Sequence, residues 1–453
     1  MRLFIERYSQ HYKAILSLGL PIVVGQIGNV ILGFADTLMI GHHSMHELAA
    51  ASFVTTMFLL LVVFAIGFSY GLTPVVGNMF GRGENNKIGG IVRNSLATNV
   101  VLCAILMVLS VAFYMNIHHL GQPEELLPYM RSYLLVNIIS LPFICFFNTF
   151  KQFFDGITET KMPMYVILGG NVFNVIGNYL LIYGVCGFPE MGLLGAGIST
   201  LVSRILMFAA LVAVFFCCRK YRIYRDGFID GQINKRDFYR LNALGWPVAM
   251  QIGMETAAFS LSAIFVGWMG TVALASHQIM LTVSQLLYMI NVGMAAAVAV
   301  RVSYFHGQRD LSAVKDTAYA GFHLLMVIAL VISIPIFLLR HDISYWFTDS
   351  KAVCMLVSQT ILPLIAYQFG DGLQYTFANA LRGMSCVRPM IYIAFLSYFV
   401  ISLPLGYFLG ITLGYGLFGI WCAFPVCLTC AGVLYFICFK RKLNQESALY
   451  NAE

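Results

Sequence analysis

Charge is what this chain has least of. Of its 453 residues only 10% are Asp, Glu, Lys or Arg, against roughly a quarter in soluble domains. No polar segment is long enough to fold as a separate soluble domain. The eleven cysteines form no framework. Their single C-x-x-C, Cys427 and Cys430, sits inside the last apolar run without a second pair, so it reads as helix filler. His42, His43 and His46 cluster in a loop but read as surface histidines, not as metal ligands. No cleavable leader is expected either. The first apolar run follows Arg2, Arg7 and Lys13, is too long for a signal-peptide h-region and continues into Asp36, so it reads as an uncleaved first span.

What is present is apolar surface, at 59% of residues. Stretches of about 20 apolar residues, the length needed to cross a bilayer as a helix, recur along the chain. They number about twelve: 14–40, 48–76, 94–116, 128–150, 163–185, 192–218, 244–266, 273–300, 317–339, 354–380, 389–411 and 416–438. The expected fold class is therefore all-α integral membrane. Lys and Arg orient the spans. With the N-terminus in the cytoplasm, 23 of the 27 fall in inside segments, three outside (Arg131, Arg340, Lys351), and Arg204 lies within a span. Both termini are expected in the cytoplasm. The net charge of +7 reflects this bias, and no nucleic-acid partner is expected, because the charges sit in short separated loops.

The two halves repeat. Gly19-Leu20-Pro21 faces Gly245-Trp246-Pro247, Gly41 faces Gly267, Leu48-Ala49 faces Leu274-Ala275, Gly81 faces Gly307, and Pro163-Met164 faces Pro389-Met390, all at an offset of 226. Gly192-Leu193-Leu194-Gly195 faces Gly416-Leu417-Phe418-Gly419 at 224. A register this constant marks an internal duplication. Six spans per copy give both copies one orientation, related by a pseudo-two-fold axis along the membrane normal, an arrangement common among secondary transporters. The expected domains are an N-lobe over 1–218, a basic cytoplasmic linker over 219–240 and a C-lobe over 241–453. Pro21 and Pro247, with Gly28 and Gly253 further on, allow bends at matching places.

Three carboxylates interrupt the apolar runs: Asp36, Glu255 and Asp371. A carboxylate at mid-bilayer costs roughly 2.5–3.5 kcal/mol on insertion scales, so each marks a functional site, usually for protons or cations. Tyr367 and Asp371 are i,i+4 and share a helix face. Glu255 belongs to the same half. Two such acids facing each other in low dielectric should share a proton or hold a cation. In the first half Asn174 and Asn178 are also i,i+4, with Thr200 opening the polar part of the sixth span. With Asp36 they offer only oxygens to a cation, which suits a hard ion such as Na⁺. Arg204 either pairs with a carboxylate or snorkels. Some of the many Phe, Tyr and Met residues should line a cavity for flat apolar cations.

Along Gly19-Leu20-Pro21, Asp36-Thr37 before Met39-Ile40-Gly41, Gln251 to Glu255, His277-Gln278-Ile279 and Tyr367 to Asp371, the chain resembles the multidrug and toxic compound extrusion (MATE) family, in its NorM-like branch. The resemblance implies a two-lobed V of six helices each, without a cofactor, that expels cationic amphiphilic drugs in exchange for Na⁺ or H⁺. It implies a bacterial inner-membrane protein acting as a monomer. It makes Glu255, Asp371, Tyr288 and Tyr367 the C-lobe ion site and Asp36, Asn174, Asn178 and Thr200 the N-lobe site, with Asp36, Gln278 and Asp371 as candidate substrate contacts. Some relatives carry Asp where this chain has Asn178, so the N-lobe keeps a single carboxylate.

Three rivals are weighed against this. A lipid-linked sugar flippase of the same superfamily should carry a basic cavity, whereas these spans hold three acids and one base. An intramembrane aspartyl protease needs Gly-x-Gly-Asp, but Gln368 stands where the first Gly should be. A major-facilitator transporter should show Gly-x-x-x-Asp-Arg after its second span, and Gly77 to Arg82 lacks the Asp.

Overall fold

A computed structural model describes the backbone of residues 2–452 and the side chains of residues 7–450. The side chain of Arg2, counted above in the basic N-terminal flank, lies outside the described residues. The described chain is helical, with no strand. Among the described residues, twelve helices are long and apolar enough to cross a membrane. They are α1 (Arg7–His43), α2 (Met45–Gly81), α3 (Asn85–Leu120), α4 (Glu124–Gly156), α5 (Lys161–Ile182), α6 (Gly192–Cys217), α7 (Lys235–Gly267), α8 (Thr271–Gly307), α9 (Leu311–Leu338), α10 (Lys351–Gly383), α11 (Arg388–Thr412) and α12 (Gly416–Tyr450). Most outrun the apolar stretches read from the sequence. Helices continue into their polar flanks because the connections are short and the backbone bonds of each flank are best satisfied within the helix.

The chain forms two compact units, one of residues 24–249 and one of residues 1–23 with 250–453. The boundary does not fall in the 219–240 linker. It cuts α1 after Val23 and α7 after Ala249, positions separated by the repeat offset of 226. The start of each repeat's first helix is thus packed with the other repeat's helices, two residues beyond Pro21 in one case and Pro247 in the other. Small residues make this possible. A Cβ on Gly19 would lie 2.6 Å from Met294 Sδ and 3.3 Å from its Cα. A Cβ on Gly245 would lie 2.8 Å from the Phe68 ring and 2.9 Å from its carbonyl oxygen. Phe68 and Met294 are themselves repeat equivalents, so the duplication holds at the level of single packing contacts.

Polar bonds fix the exchanged start of α1 in its unit. Arg7 grips Asp316 of α9 through Nε at 3.0 Å and Nη2 at 2.7 Å, a bidentate pairing with defined geometry. His11 meets Thr317 at 3.0 Å and Tyr12 meets His323 at 3.2 Å. In the other unit the linker helix Arg222–Asp230 lies close against α3. A Cβ on Gly89 would sit 2.0 Å from the Tyr224 carbonyl oxygen, and Arg93 donates to the carbonyls of Ile229 at 3.1 Å and Gly231 at 2.7 Å.

The break in α2 at Gly71 yields a contrast that tests this packing. A Cβ there would lie 2.7 Å from Gly245 N and 3.0 Å from Leu244 C, both backbone atoms, while Gly33 has nothing within 4 Å. Gly71→Ala is expected to destabilise by about 1–3 kcal/mol, as overpacking does, and Gly33→Ala to change little. Thermal unfolding of the two variants in detergent checks this; equal melting temperatures would contradict it.

Candidate functional site

Each unit gathers candidate residues into a polar cluster. In the unit of residues 1–23 and 250–453 it is built from α7, α8, α10 and α11. Glu255 and Asp371 are both buried, at 3% and 0% exposure. Glu255 Oε2 accepts from Gln251 Nε2 at 3.2 Å, one turn earlier on α7. Its Oε1 accepts from the Tyr375 hydroxyl at 3.1 Å, and the Tyr288 hydroxyl lies 2.8 Å from that of Tyr375. Tyr398 of α11 stands beside Glu255 and accepts from Gln374 Nε2 at 2.6 Å. Asp371 Oδ2 accepts from Asn291 Nδ2 at 2.7 Å, and its Oδ1 is buried without a hydrogen-bond partner. The two acids are near enough for the charge of one to act on the other, yet neither has an ion pair among the described residues. Desolvating a carboxylate costs several kcal/mol. Amide and phenol donors offset part of that, and an orphan carboxylate oxygen leaves a place for a proton or a small cation.

The structure brings together Glu255, Asp371 and Tyr288. Tyr367 is buried beside them, with its ring against Phe259 and Trp421, each at 6.2 Å. The sequence reading missed Asn291, Tyr375, Tyr398 and Gln374. Tyr375 was within reach, being one turn beyond Asp371 on the face already identified. Asn291 follows Tyr288 by three residues and shares its face. Tyr398 gave no such signal, because α11 is π-wound over Phe395–Ser402, where the 3.6-residue period does not apply. Gln278 is exposed and belongs to neither cluster. Its neighbour His277 is buried and accepts from the Trp421 indole at 3.1 Å.

In the unit of residues 24–249 the cluster joins α1, α4, α5 and α6. Asn178 Nδ2 donates to Asp36 Oδ1 at 2.5 Å and to Asn174 Oδ1 at 3.0 Å. Asn174 Nδ2 donates to Thr200 Oγ1 at 3.1 Å, and its carbonyl accepts from Ser199. The Asn174 amide is better satisfied when turned over. Its nitrogen then donates to Asp36 Oδ1 at 3.1 Å and its oxygen accepts from Thr200 N at 3.2 Å, in place of the bond from Asn178. Asp36, Asn174, Asn178 and Thr200 therefore do form one group. In it Asp36 receives amide N–H groups, whereas a cation shell would use the amide oxygens. Arg204, one turn past Thr200, donates to Ser140 Oγ and to Asn137 Oδ1 at 3.4 Å, both on α4.

Two six-helix repeats, each enclosing a polar cluster within a membrane-spanning bundle, are transporter architecture, and the sequence match decides which. The family MatE matches residues 21–180 and 247–408, one segment in each repeat. This chain belongs to the MatE family. It is a multi-pass membrane transporter and not an enzyme. It is 28% identical over 410 residues to the multidrug resistance protein NorM of Photobacterium profundum, covering 90% of both chains. It is 29% identical over 434 residues to the probable multidrug resistance protein NorM of Photorhabdus laumondii, covering 94% of this chain and 95% of the relative. Its fold matches a solved outward-facing multidrug resistance MATE family transporter of the MOP superfamily, with a TM-score of 0.88 at 17% identity over 97% of both chains.

The Asn291–Asp371 bond can be tested within this MatE fold without assuming a substrate. Asn291→Ala leaves a carboxylate oxygen buried without its donor, a loss of about 1–3 kcal/mol. Adding Asp371→Ala removes the orphan, so the double variant should be less destabilised than the two single losses combined. A double-mutant cycle on thermal stability should give a coupling of about 0.5–3 kcal/mol; strict additivity would show that the bond carries no energy.

Proposed function

We propose that this MatE chain is a secondary multidrug efflux antiporter that exports cationic amphiphilic compounds in exchange for Na⁺ or H⁺ by alternating access. The observation that carries the reading is the buried pair Glu255 and Asp371, which has amide and phenol donors but no basic partner. Such a pair has high affinity for a proton or a small cation and releases it when water or a competing positive charge reaches it. A drug cation and a coupling ion that compete for one negative site cannot be bound together, and that exclusion is the physical basis of exchange. Tyr288, Tyr367, Tyr375 and Tyr398 give the site aromatic faces suited to organic cations. The names of the curated relatives supply the multidrug cargo class. We place the protein as a monomer in a bacterial inner membrane with both termini cytoplasmic, following its Lys and Arg distribution. The repeats 1–218 and 241–453, joined by the 219–240 tether, serve as the lobes that alternate.

Accumulation of a fluorescent organic cation in inverted membrane vesicles, driven separately by a Na⁺ and a proton gradient, tests the reading and identifies the ion. Asp371→Asn keeps size and hydrogen bonding but loses the exchangeable charge, and is expected to abolish gradient-driven accumulation while leaving membrane insertion intact. Wild-type rates in that variant would overturn the assignment. Glu255→Gln should cripple transport to a similar degree, and the double variant should be little worse than either single one, because residues acting as one unit are non-additive. Losses that multiply in the double variant would show two independent sites.

A further inference from the structure

Of the histidines at positions 42, 43 and 46, the first and last are exposed and the middle one is not. His43 ends α1 with its side chain 18% exposed and is bonded on both sides of its ring. Its Nδ1 lies 2.8 Å from Glu47 Oε2, at the start of α2. Its Nε2 lies 3.0 Å from Glu190 Oε1, in the connection between α5 and α6. All three residues belong to the unit of residues 24–249.

The surrounding backbone is shaped to this contact. Glu47 is buried, and its carboxylate packs on Gly192, the first residue of α6, where a Cβ would lie 2.3 Å from Glu47 Oε1. Glu190 is placed by the bond from Met191 N to Leu181 O at 2.9 Å, which folds the connection back onto α5. Tyr183, at the end of α5, donates to Met39 O at 2.8 Å and sets its ring 6.2 Å from that of His43. The ends of α1, α2, α5 and α6 therefore meet around one imidazole. Three of these helices carry Asp36, Asn174, Asn178 and Thr200, with Asp36 about two turns before His43. The second repeat has Met269, Ala273 and Gly414 at the equivalent positions, so the contact belongs to the first repeat alone.

The two bonds count protons. A carboxylate only accepts, and a neutral imidazole has a single N–H. Both bonds at once need two protons, carried by an imidazolium or by a neutral ring beside one protonated carboxyl. When one proton leaves, one bond is lost. That bond is the one to Glu190, whose side chain is 67% exposed and is solvated by water once released. Glu47 is buried and keeps its donor, because leaving it without one costs more. The charges acting on His43 are those of Glu47 and Glu190. His42 of α1 is exposed and bonded to Leu38 O at 2.8 Å, and His46 of α2 is exposed. From α5 the titratable group is the Tyr183 phenol, and the first turns of α6 carry none.

We propose that His43, Glu47 and Glu190 form a proton-binding site, separate from both polar clusters, whose bound proton clamps the α5–α6 connection to the end of α1. On the orientation proposed above, this end faces the outside. The site does not depend on which ion drives transport.

Hydrogen–deuterium exchange of the purified full-length chain in detergent, read by mass spectrometry and corrected for the intrinsic pH dependence of exchange, tests the clamp. The backbone of residues 184–191 should exchange roughly three- to fivefold faster at about pH 9 than at about pH 5.5, the gain expected from losing one exposed ion pair at a histidine. The 413–416 connection of the second repeat, which lacks the clamp, should show no such change. His43→Gln and Glu190→Ala should each abolish the pH dependence and leave 184–191 fast at both pH values. A merely structural role would change the rate and not its pH dependence. Equal protection of 184–191 at both pH values in the wild type, or a pH response that survives in Glu190→Ala, would overturn the proposal. Glu190 sits on an exposed connection, so its variant decides the matter even if His43→Gln fails to fold. Neither result bears on Glu255 and Asp371, so the antiport reading stands or falls separately.

Discussion

A carboxylate removed from water must be given back what water supplied. In the second repeat of this protein that constraint organises four helices. Gln251 lies one turn before Glu255, Tyr375 one turn after Asp371, and Asn291 one turn after Tyr288, so each acid draws a donor from its own helix or from a neighbour. None of these donors carries a full charge. Neutral donors lower the cost of burial without cancelling the negative field, whereas a lysine or arginine in the same place would give a closed ion pair with little reason to release it. The aromatic surroundings fit the same logic. Phenols donate one hydrogen bond and present an apolar face, so they can serve both the carboxylates and the organic cation of the proposed function.

The repeat supplies the frame in which this chemistry sits. Its clearest mark is a packing equivalence. Gly19 against Met294 and Gly245 against Phe68 are the same contact made twice, 226 residues apart. Only glycine lets the helices approach that closely, and the prolines two residues on fall at the points where α1 and α7 pass from one compact unit to the other. The ion pair of Arg7 with Asp316 is half exposed on its arginine side and is worth little as stability. Its bidentate geometry makes it a means of holding the start of α1 in one register.

Much of this was legible in the sequence, for physical reasons that can be named. Span number follows from hydropathy because a bilayer leaves the backbone few alternatives to helix. The duplication shows in Gly and Pro because backbone geometry tolerates few substitutes there. Glu255 and Asp371 stand out because their insertion cost is large against an apolar background. The partners did not stand out in the same way. Asn291 and Gln374 are polar residues of a type that often serves only to bond helices together, and Tyr398 lies on π-wound backbone. Gln278 lies apart from both clusters: it is exposed, and the buried partner of Trp421 is the adjacent His277. Where Val23 and Ala249 divide their helices could not be read either, since it depends on packing between segments far apart in sequence.

The proposed antiport reading gives a reason for the unequal distribution of carboxylates between the two repeats. A site that exchanges its ligand must be poorly compensated in at least one state, and the chain must bear that cost each cycle. Two such sites would double the cost and, if their occupancies were not linked, would let ions cross without cargo. A duplicated fold begins with two equivalent places for the acids. In the first repeat Asn29 and Cys145 stand at those places, and the one carboxylate of its cluster, Asp36, accepts from the Asn178 amide. On the proposed antiport reading, the acid pair of the other repeat, with one carboxylate oxygen left without a donor, is the place where the charges of cargo and coupling ion would compete.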